Sequence, residues 1–178
     1  MLDALILVGG YAGAVCVGLV FVVAACSKLR HRRLLSGVIA NYRLLPDVLV
    51  APVAAVLPFA ELAIGLALIA GEAIVAPALA IVLLLGFAAA MAINIKRGRR
   101  SIDCGCGQSH LRQTLNWGLV GRNLVLAAIL SVRLAAGSAP TPVQIAIALA
   151  AGLSIFVGTM LFNSLLALSA LGSPHAHR

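Results

Sequence analysis

Five runs of apolar residues, at about 4–27, 48–70, 73–95, 117–136 and 143–170, constrain this chain more than any other feature. At a rise of about 1.5 Å per residue, each is long enough to cross roughly 30 Å of hydrocarbon. The 178 residues are 62% hydrophobic and 10% charged, whereas about a quarter of a soluble domain is charged. So little charge cannot cover a water-facing surface, which excludes a soluble helical domain. The expected fold class is an all-α integral membrane protein of about five transmembrane helices, with residues 1–178 forming a single polytopic domain. Pro52, Pro58 and Pro77 fall within these runs, where neighbouring helices can satisfy the carbonyls that proline frees.

The formal net charge is +8, but its distribution excludes nucleic acid as the partner. The cations sit in short clusters at the ends of apolar runs: Lys28-Leu29-Arg30-His31-Arg32-Arg33 and Lys96-Arg97-Gly98-Arg99-Arg100. Positive charge collects there to face anionic headgroups on the cytoplasmic side, so the lipid bilayer is the expected partner. Arg43, Arg112 and Arg178 fall on the same side as these clusters, and only Arg133 lies near the other. The expected orientation is an outside N-terminus, a cytoplasmic C-terminus and a cytoplasmic loop at 101–115. Val23-Ala24-Ala25-Cys26 resembles a lipoprotein cleavage box. A signal peptide, however, carries its positive charge before the apolar core, and here Asp3 precedes the core while the cations follow. The first run is therefore read as a retained span.

Two of the four cysteines lie in that loop, in Ile102-Asp103-Cys104-Gly105-Cys106-Gly107. Thiols two positions apart can close a disulfide only if the chain turns between them, and glycine turns most easily. Arg99, Arg100, Arg112 and His110 favour the thiolate, the form that attacks disulfides or binds soft metals, while Asp103 opposes it. Two thiolates and a histidine fall short of the four ligands of structural zinc, so no resident metal is expected. An inert surface pair remains open. Cys16, mid-helix, reads as a packing residue, and Cys26 as packing or as a third thiol near the loop. Glu61, at the centre of the second run, is a functional candidate, since an ionisable group there needs a partner. Arg122 is the obvious cation, either reaching Glu61 or extending to the interface. Asn94 and Asn163 suit interhelical hydrogen bonds, and Trp117 an interfacial anchor.

An ordered set of segments carries a resemblance: Cys26-Ser27-Lys28-Leu29, Asn41-Tyr42-Arg43-Leu44-Leu45-Pro46, Leu57-Pro58-Phe59-Ala60-Glu61-Leu62-Ala63-Ile64-Gly65, Asp103-Cys104-Gly105-Cys106-Gly107, and Trp117 before Arg122-Asn123-Leu124. In order and spacing, over about residues 10–135, the chain resembles the MauE family of methylamine-utilisation membrane proteins, related to the DoxX group. The resemblance implies a DoxX-like four-helix core plus an extra helix, in a bacterial plasma membrane. It implies a role in maturing an exported client such as methylamine dehydrogenase, whose small subunit carries many disulfides and a tryptophan-derived quinone. It also implies a thioredoxin-like partner, MauD, and Cys104 and Cys106 as the redox pair.

Charge counting places that pair on the cytoplasmic side, whereas the implied client matures outside. Cys16 and Cys26 lie about 15 Å apart along one helix, so a relay across the membrane needs a quinone or another protein. Three functions compete: a membrane thiol–disulfide oxidoreductase, a carrier for a soft metal or sulfur species with Glu61 on its path, and a non-catalytic membrane subunit.

Overall fold

The computed structural model describes residues 2–99, 115–135 and 141–171, and every regular element among them is helical. In chain order these are α1 (Leu2–Arg30), α2 (Arg32–Tyr42), α3 (Asp47–Ile69), α4 (Val75–Lys96), α5 (Trp117–Ala135) and α6 (Pro142–Leu171). Five are long and apolar enough to cross a membrane: α1, α3, α4, α5 and α6. This is the multi-pass all-helical membrane protein expected from the apolar runs. Their boundaries fall within three residues of those runs.

α2 is the element the apolar runs do not reveal. Leu35, Val38, Ile39 and Tyr42 recur at helical spacing and form one apolar stripe, with Arg32, Arg33 and Asn41 exposed elsewhere. The helix is amphipathic and too short to span, so the segment read as a basic loop is a helix with one face on the bundle. His31 separates it from α1, with Nδ1 3.0 Å from the Ser27 carbonyl. Arg43 ends it in the left-handed region (φ 48°), its N–H donating to the Ala40 carbonyl. Pro46 then precedes α3, and Asp47 complements the positive helix start.

The α3–α4 turn is built on Gly71, at φ 91°. Glu72 N–H donates to the Ala67 carbonyl at 3.0 Å and Gly71 N–H to the Leu68 carbonyl at 3.1 Å, the paired bonds of a glycine-terminated helix. The carboxylate of Glu72 then accepts from the backbone N–H groups of Ile74 and Ala76, opening α4. Those bonds, Ala76's above all, hold the Glu72 carboxyl below the usual carboxylate range.

α1 is the central helix, packing against α3, α5 and α6. Small residues make this possible. A Cβ on Gly18 would stand 2.8 Å from the Gly65 carbonyl oxygen, and one on Gly65 2.9 Å from that of Gly18, so α1 and α3 touch backbone to backbone. Gly152 of α6 meets the Ala12 carbonyl in the same way, at 2.7 Å. Val17, Phe21, Leu68, Leu84 and Leu130 fill the core between α1, α3, α4 and α5.

Candidate functional site

Glu61 is 1% exposed, on the α3 face that meets α1. Its counter-ion is Lys28, whose ammonium lies 2.7 Å from both carboxylate oxygens. Lys28 is itself 8% exposed, so it belongs to the interior rather than to the basic loop. The cation that pairs with Glu61 is Lys28; for Arg122 the sequence left two roles open, reaching Glu61 or extending to the interface.

Helix geometry explains the choice. α1 and α3 run antiparallel with Gly18 against Gly65, which sets the Lys28 backbone about 9 Å along the axis from Glu61 at about 1.5 Å per residue. Side chains tilt toward the N-terminus of their own helix. Lys28 therefore leans from the basic end into the bundle, while Glu61 leans toward that end. The two converge, and the four-carbon stem of lysine covers the remaining distance. Charge counting groups Lys28 with the basic cluster at the end of the first apolar run. The available signal was its position directly after an apolar run, with the tilt pointing inward.

Lys28 also faces the ring of Phe87, 5.6 Å from the centroid, and lines a cavity of about 420 Å³ between α2, α3 and α4. Its walls are almost wholly apolar, with Leu35, Ile39 and Tyr42 from α2, Leu57 from α3, and Phe87 and Met91 from α4. Gly86, at the middle of α4, and the exposed Val82 also line it, so the cavity opens on the outside of the bundle.

The other candidates are scattered. Cys16 is buried and 1% exposed, as a packing residue should be, while Cys26 is exposed. Cys104 and Cys106, with His110 and Arg112, lie outside the described residues, as does the side chain of Asn163. Arg122 is half-buried, and its Nε has no hydrogen-bond partner among the described residues. Asn94 is buried but bonds within its own helix, donating to the Ala90 carbonyl, and accepts from Arg99; it makes no interhelical bond among the described residues. Trp117 opens α5, 51% exposed, in the position of an interfacial anchor.

At the opposite end, Arg133 is a buried cation that charge counting had treated as a boundary residue. It is 3% exposed, stacks 5.0 Å from the centroid of the Tyr11 ring, and donates to the Gly71 carbonyl at 3.4 Å. No carboxylate pairs with it among the described residues.

These features define a class: a multi-pass helical membrane protein with a buried lysine–glutamate pair beside an apolar cavity. Comparison with known proteins gives the family. The profile described as "Methylamine utilisation protein MauE" matches residues 4–137. The Methylamine utilization protein MauE of Paracoccus denitrificans is 48% identical over 120 residues, covering 67% of this chain and 64% of that protein. Its namesake in Methylorubrum extorquens is 43% identical over 132 residues, covering 72% and 71% respectively. The match thus spans just under two thirds of the Paracoccus denitrificans relative's length. No solved structure matches. The chain belongs to the MauE family.

Proposed function

We propose that this protein is a membrane thiol–disulfide redox protein that supports disulfide formation or cofactor maturation in an exported client of the methylamine dehydrogenase kind. Cys104 and Cys106 form its exchanging pair, Cys26 is the third thiol, and a thioredoxin-like protein is its partner. The observation that carries the reading is family membership taken together with the sequence Asp103-Cys104-Gly105-Cys106-Gly107. Connectivity adds support. The dithiol segment is tethered between Arg99 and Leu115, where Arg97 donates to the Arg43 carbonyl and Tyr42 packs against the cluster holding Leu115. α1 ends with Cys26 and Lys28 at this same end of the bundle. A carrier for a soft metal or sulfur species would instead use Glu61 to mark its path, and that carboxylate is held by Lys28.

The test is complementation of a cell lacking its family protein and growing on methylamine. Cys104→Ser or Cys106→Ser abolishes correct disulfide formation in the client, while Cys16→Ala leaves it largely intact. Full client maturation by both serine variants at normal protein levels rules out the redox reading.

We further infer an outside N-terminus and cytoplasmic dithiol in the bacterial plasma membrane, because the cationic helix ends lie on one side. Another membrane component must therefore link the dithiol to the exported client. A membrane-impermeant thiol reagent then labels Cys104 and Cys106 only after cells are permeabilised. Efficient labelling in sealed cells inverts the topology.

A further inference from the structure

The cavity beside Lys28 is more than a packing defect. Its volume of about 420 Å³ falls in the range of about 300–1,000 Å³ typical of small-molecule pockets. It is open at the middle of α4, where a ligand arriving through the bilayer would enter. Its walls are aliphatic, with the two aromatic rings of Tyr42 and Phe87 among them.

One polar group breaks this apolar lining in a specific way. An ammonium has three hydrogens to donate. Lys28 gives two to the oxygens of Glu61, and the third has no acceptor among the described residues. Beyond Glu61 the ammonium faces only the Phe87 ring among the described residues, a weaker partner than a carbonyl oxygen, so the cavity favours an occupant that brings an acceptor. A plain acyl tail brings none. A phosphate headgroup brings acceptors, but its charge would be desolvated against aliphatic walls. A planar ring bearing carbonyl oxygens, on a long apolar tail, meets every requirement: the carbonyl accepts from Lys28, the ring lies among Tyr42 and Phe87, and the tail leaves past Gly86 into lipid.

We propose that this cavity binds the head ring of an isoprenoid quinone, with Lys28 donating to a ring carbonyl. The site's place in the protein's work rests on the redox reading above, for which it supplies the electron acceptor. Oxidation of a dithiol breaks two S–H bonds and forms one S–S bond, releasing two electrons and two protons. The quinone takes up both pairs at its two carbonyl oxygens and leaves as the quinol, so no other co-reactant is needed.

Gly86 provides the test, because it lines the cavity and a Cβ there meets nothing within 4 Å, so a larger side chain takes up cavity space. The full-length protein in lipid nanodiscs is titrated with decylubiquinone, and with decylbenzene as a tail-only control. The quinone is expected to bind at least tenfold more tightly than decylbenzene, and Gly86→Phe to weaken it at least tenfold. Gly158→Phe, on the outer helix where a Cβ is equally unopposed, leaves binding unchanged. Equal affinity for both compounds would make the cavity a groove for lipid tails and overturn the proposal, as would unaltered quinone binding by Gly86→Phe. A Cys104→Ser/Cys106→Ser protein retains binding, so the two readings separate. Binding without thiol-dependent quinol formation upholds the site and removes the redox role, whereas thiol chemistry in a protein that binds no quinone removes the site alone.

Discussion

α1 and α6 are nearly the same length and almost equally apolar, yet 61% of the spanning stretch of α1 is buried inside the protein and only 11% of that of α6. Bulk hydrophobicity cannot separate them, because lipid tails and leucine side chains offer similar surroundings. What separates them is the pattern of small and polar residues. α1 presents Gly10, Gly13 and Gly18, where a Cβ would meet another helix at 3.0 Å or less, and it ends in a lysine that reaches inward. α6 has one such position, Gly152, while Gly158 faces open space. In this protein the centre is marked by close backbone approach and buried charge.

Breaking the charge pair should give the largest effect. Lys28→Met leaves the Glu61 carboxylate buried without its ammonium and should cost about 3–5 kcal/mol, read as a lowered unfolding midpoint in detergent. Adding Glu61→Met should restore much of that loss. A double variant as unstable as the single one would mean that the pair's charges are not what holds α1 against α3.

The glycine comparison is the next largest. Gly18→Val forces apart two touching backbones and should cost about 1–3 kcal/mol. Gly158→Val should change stability by about 0.5 kcal/mol or less. Equal losses from the two would dissolve the distinction between central and peripheral helices.

The smallest effect lies outside both helices, at the cap of α4. The Glu72 carboxyl is held below its usual range when folded, so its contribution is fully present above the unfolded value and is lost as pH falls through the folded one. Glu72→Gln removes that titration. The gap in thermal midpoint between wild type and variant should therefore narrow on acidification. A gap independent of pH would show that the cap does not depend on ionisation.

Much of this was legible in the sequence. The five spans were, because apolar runs longer than a bilayer is thick have few other fates. Burial of Glu61 was legible for the same reason. Its partner was not, because charge counting assigns a lysine at a helix end to the loop, whereas the direction of its side chain is fixed by how α1 and α3 cross. α2 was obscured by its own arginines, although Leu35, Val38, Ile39 and Tyr42 carry a helical period. The burial of Arg133 depends on Tyr11, more than a hundred residues away, and on the glycine turn at 71, neither of which advertises the contact.

The convergence of Lys28 and Glu61 also bears on how the chain is assembled. Ribosomes deliver α1 before α3. Lysine, near the end of its helix, can wait with its ammonium among headgroups, whereas a carboxylate at mid-helix has no such refuge. The earlier segment thus carries the counter-ion of a group buried on a later one. The ion pair ties burial of the Glu61 carboxylate to the presence of α1 beside α3.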